Sequence, residues 1–333
     1  GVVEDGRRVL SDIVASQADL HALYGGVVPE IASRKHIEVI AQLADQALEQ
    51  AGLSRGDIDA VAVTYAPGLI GAVLVGVSFA KSVAYALGVP LIPVHHVRGH
   101  IAANYLAHPD LEPPFVCLCV SGGTSLLVDV KGYTEMEILG ATRDDAAGEC
   151  FDKIARVMGL GYPGGAPLDR AAQGGNDKAF SLPRVHIQDA PLDMSFSGLK
   201  TAMLNLIHNA QQKGEELPVA DLAASFSAAV SEELVPRTMA AAQAKGYGKV
   251  AVVGGVAANS RIRRDLEQAC QAAGCTLYLP PLKLCGDNGS MIGSQGYYEY
   301  LAGTRAGTDL NAYANREISR PYGTGTAPVF PSP

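Results

Sequence analysis

His95-His96-Val97-Arg98-Gly99-His100 gathers three of the chain's eight histidines into six residues. On a helix starting here, His96 and His100 stand four residues apart on one face, the spacing at which two imidazoles chelate a divalent cation. The plainer alternative is a pair of solvated or capping histidines at a strand end. A zinc protease would carry H-E-x-x-H, with Glu as general base. Val97 and Arg98 follow His96 instead, so that base is missing. A third ligand must come from elsewhere in the chain. Asp287, in Cys285-Gly286-Asp287-Asn288-Gly289 ahead of a predicted helix over 290–301, either caps that helix or completes a site for Zn2+ or Fe2+. Two histidines and one aspartate leave coordination positions open to a substrate oxygen.

Two glycine turns offer a second chemistry. Cys119-Val120-Ser121-Gly122-Gly123-Thr124 ends a strand, and bare glycine N–H groups there form either an anion nest or a plain hairpin turn. Val252-Val253-Gly254-Gly255-Val256-Ala257-Ala258-Asn259 reads as strand, glycine pair and helix start. Its glycines admit a phosphate or flat ring, and the Asn259 amide can donate and accept. The full G-x-G-x-x-G is absent, so a dinucleotide site is weakly supported. Asp144 and Asp145 are expected to open a helix, where the dipole favours acids. Glu149 and Asp152 then share a solvated face. Pro163-Gly164-Gly165 with Asp169, and Ser195-Phe196-Ser197-Gly198-Leu199-Lys200, are loops whose polar groups suit a ligand.

Alternating strands and helices must position these groups, which implies an α/β architecture with much parallel sheet. Strands are expected over 60–64, 91–95, 115–120, 125–130 and 249–253, and helices over 70–87, 100–106 and 258–273. A helix over 34–51 carries Ile37, Ile40, Leu43, Ala44, Ala47, Leu48 and Ala51 on one face and stops at Gly52. The simplest organisation is two α/β lobes, 1–112 and 113–320. The second holds a mostly helical insertion near 144–220, and a disordered tail is expected over 321–333.

The 333 residues are 48% apolar and 18% charged, which excludes a disordered chain. A net charge of −8 argues against a dedicated nucleic-acid binder, so any phosphate contact must come from local clusters such as Arg261, Arg263 and Arg264, or from partners. The six cysteines include no C-x-x-C, and Cys117 and Cys119 read as core residues on one face of a strand. A reduced, cytoplasmic setting is expected. Residues 60–80 carry no charge, but Pro67 and Gly68 split them into a strand and a helix, so no membrane segment is expected.

Tyr24-Gly25-Gly26-Val27-Val28-Pro29-Glu30, Ala66-Pro67-Gly68-Leu69, HHVRGH, VSGG, DDAAGECFDK, YPGG, FSGLKT, GGVAAN and CGDNG occur in this order. Together they resemble the bacterial tRNA N6-adenosine threonylcarbamoyltransferase family (TsaD), formerly described as O-sialoglycoprotein endopeptidase, over most of the chain. The resemblance implies the fold of actin-like ATPases and sugar kinases. It implies that His96, His100 and Asp287 hold one divalent metal, Fe2+ or Zn2+. It also implies that Cys119, Val120, Ser121, Gly122, Gly123, Asp152, Gly165, Asp169 and Asn259 bind threonylcarbamoyl-AMP. The implied reaction transfers the threonylcarbamoyl group to N6 of the tRNA adenosine beside the anticodon and releases AMP. The implied partners are tRNA, a TsaB-like paralogue, a TsaE-like ATPase and the synthase that makes the adenylate. Competing readings are a metalloprotease, a small-molecule kinase or ATPase of the same fold, and a non-catalytic paralogue. Thr124 departs from the His or Asn usual after the Ser-Gly-Gly turn. Gly1 aligns with the start of the family's second strand, so residues 1–333 alone are expected to be an impaired transferase.

Overall fold

The computed structural model describes residues 1–185, 187–320 and 322. The tail expected to be disordered lies outside the described residues, apart from Tyr322. A hairpin of β1 (Val2–Glu4) and β2 (Arg8–Ser11) precedes the short α1 (Ala18–Ala22) and the long α2 (Pro29–Ala51). α2 starts earlier than expected because Pro29 suits the first helical turn, and Gly52 ends it at φ 68°. Its predicted apolar face is corrected at Ile37, which is 64% exposed. The helix lies so close to the next one that a Cβ on Gly71 would meet Ser33 Oγ at 2.6 Å. The buried residues of α2 are the small Ala32 and Ala47, while Ile37 stays outside.

β3 (Val61–Ala66), α3 (Ile70–Leu87) and β4 (Leu91–His95) form a strand–helix–strand unit with the strands parallel. α3 is long and apolar enough, by length and composition alone, to cross a bilayer. Here its Val77, Ala80 and Ala84 pack on Val63 and Tyr65 of β3. α4 (His96–Ala107) follows β4 without a break, capped by His95 Nδ1 accepting from Val97 N.

The largest sheet runs β7 (Met136–Ala141), β6 (Ser125–Val130), β5 (Phe115–Val120), β8 (Lys249–Val253), β9 (Thr276–Tyr278). β5 pairs antiparallel with β6 and parallel with β8. β7 and β9, both edge strands, had no expectation attached to them. Between β7 and β8 lie α5 (Ala147–Val157), α6 (Gly165–Ala171), α7 (Ser197–Lys213) and α8 (Val219–Lys245). α9 (Ser260–Ala273) joins β8 to β9, and α10 (Gly289–Leu301) follows.

β5 is buried on both faces, which explains its unbroken apolar run Phe-Val-Cys-Leu-Cys-Val. Val116, Leu118 and Val120 pack with α5, α7 and α8, while Cys117 and Cys119 share the other face with α4 and Tyr298. All six cysteines are free thiols. A buried ion pair, Arg98 Nη1 to Glu299 Oε1 at 2.8 Å, joins α4 to α10. That pair sets how the helix bearing both candidate histidines meets the helix that follows Asp287.

Candidate active site

Because α4 begins at His96, His96 and His100 fall one turn apart on the same face, their rings edge to face with centroids 4.6 Å apart. Asp287 arrives from the loop before α10, where Asn288 Oδ1, rather than Asp287, caps the helix by accepting from Met291 N at 2.8 Å. Asp287 Oδ1 lies 3.1 Å from His100 Nε2 and 3.6 Å from His96 Nε2. One ligand atom from each residue falls within 4.8 Å of the other two. His100 is buried; its Nε2 faces Asp287 Oδ1, and its Nδ1 has no hydrogen-bond partner among the described residues. Burial lowers the His96 pKa, against the pull of Asp287, so the ring favours its neutral, ligating form. Burial raises the Asp287 carboxyl, but the His100 ring on its oxygen and the charges of both imidazoles outweigh this and hold it at about 2. A histidine held toward its neutral form, a second, buried histidine and an ionised carboxylate are donors that could hold Zn2+ or Fe2+. His95 faces away: its Nε2 meets the Arg316 carbonyl at 3.0 Å, and burial, opposed by that bond, lowers its pKa to about 4.

The glycine turns meet each other. Ser121 N donates to Thr124 O at 2.8 Å, closing a turn in which Gly122 and Gly123 have open space where a Cβ would stand. Gly148, in the first turn of α5, packs so tightly that a Cβ would lie 2.5 Å from Ser121 O and 2.8 Å from Gly122 Cα. Gly254 has φ 93°, and a Cβ there would lie 2.2 Å from Val120 O. Only glycine meets both conditions. Cys119 and Val120 are buried in opposite core faces, so they can offer a ligand only their backbone.

Asp152 Oδ1 accepts from Gly164 N at 2.7 Å, and burial, opposed by that bond, raises its pKa. This brings Asp152 beside Gly165, the first residue of α6. Asp169 Oδ1 accepts from Ser260 N and Oγ, at 3.0 and 2.8 Å, next to Asn259. Asn259 Oδ1 caps α9 by accepting from Ile262 N at 3.1 Å, while its Nδ2 is buried without a partner among the described residues. α5 and α6 both pack on the 3-10 turn Gly255–Ala258, so these residues line one cradle. The Tyr24-Gly25-Gly26 loop reaches α5, where Arg156 Nη2 donates to Gly25 O. Asn104 Nδ2 of α4 donates to Val252 O at 3.2 Å, linking the helix of His96 and His100 to the strand that feeds the cradle.

Two readings of the sequence are corrected. Asp144 and Asp145 do not open α5, whose cap residue is Ala146. Asp144 reaches across to α7 and accepts from Phe196 N at 2.7 Å, Ser197 N at 3.2 Å and both serine hydroxyls of Ser195 and Ser197. Asp145 pairs with Lys200. The Ser195–Lys200 string therefore spends its polar groups inside the protein. The arginine cluster is also committed. Arg261 pairs with Asp177 and Asp265, and Arg263 donates to backbone carbonyls; only Arg264, with its side chain 58% exposed, extends outward. Gly148 and the Arg98–Glu299 pair were not singled out for the site, and Gly254 was noted only as one of a ligand-admitting glycine pair. The one sequence signal for the glycines was their place in strings already noted.

A central mixed sheet, helices on both faces and a cleft lined by glycine turns define an α/β protein of the actin-like ATPase and sugar-kinase fold. Full-length HypF in its phosphate- and nucleotide-bound form superposes with a TM-score of 0.58 at 16% identity, over 78% of this chain and 42% of HypF. HypF from T. kodakarensis gives 0.58 at 18% identity, over 80% and 44%. The family profile for tRNA N6-adenosine threonylcarbamoyltransferase matches residues 8–294. Proteins of that name from Clostridium botulinum (strain 657 / Type Ba4) and Moorella thermoacetica are 52% and 54% identical. The alignments cover 95% and 93% of this chain and 93% and 91% of those proteins. The chain belongs to the tRNA N6-adenosine threonylcarbamoyltransferase family.

Proposed function

We propose that this chain transfers the threonylcarbamoyl group from threonylcarbamoyl-AMP to N6 of adenosine 37, in tRNAs reading codons that begin with adenine. The observation that carries the reading is the His96–His100–Asp287 donor set on a helix that Asn104 ties to the strand feeding the glycine turns. The adenosine N6 attacks the carbamoyl carbonyl carbon and loses a proton. The bond from that carbon to the phosphate oxygen breaks, and AMP leaves with the electron pair. An adenylate is already a good leaving group, so the chain's task is to position reactants and stabilise developing negative charge. The Ser121–Gly123 turn and the start of the Gly255–Ala258 turn offer N–H groups to phosphate. The free Asn259 amide offers a donor to the adenosine or carbamoyl part. His96, His100 and Asp287 would hold Fe2+ or Zn2+, which when bound supplies Lewis-acid polarisation of a carbonyl oxygen. No nucleophilic serine or cysteine is required. The buried thiols fit that: burial raises Cys150 to about 12 and Cys270 to about 11.

Partners complete the proposal. With net charge −8 and Arg261 and Arg263 committed internally, the tRNA backbone must be met largely by other subunits, a TsaB-like paralogue and a TsaE-like ATPase. A separate synthase supplies the adenylate, in the cytoplasm. The test is nucleoside analysis of tRNA from cells dependent on this chain. Loss of the threonylcarbamoyl adenosine on depletion is expected, and unchanged tRNA refutes the proposal. In vitro, His100→Ala should lose most bound metal together with transfer; full metal content by elemental analysis refutes the ligand assignment.

A further inference from the structure

Arg263 stands in the first turn of α9, yet its side chain bridges two loops that are remote in sequence. Its Nε donates to the Ala257 carbonyl at 2.5 Å, within the turn that follows β8 and leads to Asn259. Its Nη2 donates to the Pro280 carbonyl at 2.7 Å and approaches Cys285 Sγ at 3.4 Å. Pro280 and Cys285 bracket the segment that runs from β9 toward Asp287. Cys285 is 2% exposed, so this end of the bridge is anchored in packed structure. Both loops terminate in asparagine caps, Asn259 on α9 and Asn288 on α10. One planar cation therefore ties the adenylate side of the cleft to the metal side.

We propose that Arg263 is a positioning residue that couples the two half-sites, fixing the Asp287 loop against the cradle so that occupancy of one favours occupancy of the other. The proposal rests on the reading of the site given above. Arginine suits the task because its rigid fork presents several N–H donors in fixed directions, here toward carbonyls of two different loops. A lysine ammonium at the same place is a single point and cannot hold both. The arrangement also explains why this residue cannot serve as a tRNA phosphate contact, as the sequence cluster suggested. Its donors are already directed inward.

The test is a linkage measurement on the whole chain. Zn2+ affinity is measured with and without saturating AMP, and AMP affinity with and without Zn2+, by calorimetry or dye competition. The wild type should show a coupling of about fivefold or more, equal in both directions as linkage requires. Arg263→Lys should reduce that coupling to less than about twofold, which is below the usual range for linked sites. Its thermal melt reports that the fold is kept. Cys285→Ala removes the thiol with its contacts to Arg263 and to the Pro280 and Pro281 carbonyls but leaves both arginine–carbonyl bonds, so it should give a smaller reduction, which preserves the test if the arginine variant folds poorly. Arg264→Gln, one residue on and directed outward, should keep the wild-type coupling. Wild-type coupling in Arg263→Lys overturns the proposal. So does a wild type that binds Zn2+ and AMP independently, a result that leaves the transferase reading standing. A wild type that binds neither probe overturns the site reading and this proposal with it.

Discussion

Removing either partner of the buried Arg98–Glu299 pair should destabilise this protein far more than removing both. The side chains are 3% and 5% exposed. Arg98 spends Nη1 on Glu299 Oε1 and its Nε and Nη2 on the Ile318 carbonyl, at 3.0 and 2.7 Å. Glu299 also accepts from Gln295 Nε2 at 3.1 Å and Thr304 Oγ1 at 3.0 Å. Arg98→Met leaves a buried carboxylate with only these two neutral donors, and strips the Ile318 carbonyl. Glu299→Gln leaves an uncompensated guanidinium beside an amide. Breaking a buried pair in this way costs about 3–5 kcal/mol per single substitution. The double variant buries no charge; the donors from Gln295 and Thr304 reach different carboxylate oxygens, so the amide oxygen introduced at position 299 accepts from Gln295 Nε2 while its NH2 donates to the Thr304 hydroxyl, which can turn to accept. What remains is chiefly the unsatisfied Ile318 carbonyl, worth about 1–3 kcal/mol. Urea unfolding of the four proteins gives the cycle, and the single costs should exceed the double cost by at least ~2 kcal/mol, within the range seen for contacting groups. Because the pair fixes α4 against α10, Zn2+ affinity should fall in both single variants and partly return in the double. Additive costs, or single costs under about 1 kcal/mol, refute the claim that a desolvated ion pair holds these helices together.

Gly148→Ala places a Cβ against the Ser121 carbonyl and Gly122 Cα, backbone atoms that cannot yield cheaply. AMP affinity should drop at least about tenfold with a stability cost of about 1–3 kcal/mol, and unchanged calorimetric affinity would show that the turn does not touch the ligand. Gly254→Ala should destabilise by about 1–3 kcal/mol through its left-handed backbone, read as a lower melting temperature. For Asp144, partial burial raises the carboxyl pKa, but hydrogen bonds from Ser195, Phe196 and Ser197 outweigh this and bring it below the ordinary aspartate value of 3.8. Its contribution is therefore complete above 3.8 and is lost as pH falls through the lower folded value. Asp144→Ala should cost about 0.5–2 kcal/mol at neutral pH and flatten the acid limb of stability against pH; an unchanged acid limb refutes the capping role.

The elements that this chain's sequence legibly encodes are those governed by local physics. The 18-residue helix Ile70–Leu87 and the hairpin strands Phe115–Val120 and Ser125–Val130 follow from apolar pattern and glycine punctuation, and both stand where expected. His96 and His100 share a face because four residues on a helix always do. The glycine turns are legible for the same reason, since backbone freedom belongs to the residue itself. Asp287 could be named a candidate from its loop. That it lies 3.1 Å from His100 depends on α10 packing against α4 across the Arg98–Glu299 pair, which no spacing rule contains. The acidic and basic clusters misled for the same cause. Asp144 found the amides of a helix that starts more than fifty residues later, Arg261 found Asp177, and Arg263 found Pro280. A charged side chain takes whichever partner the tertiary fold brings within reach, because an unpaired buried charge or orphaned amide costs more than any local preference can repay.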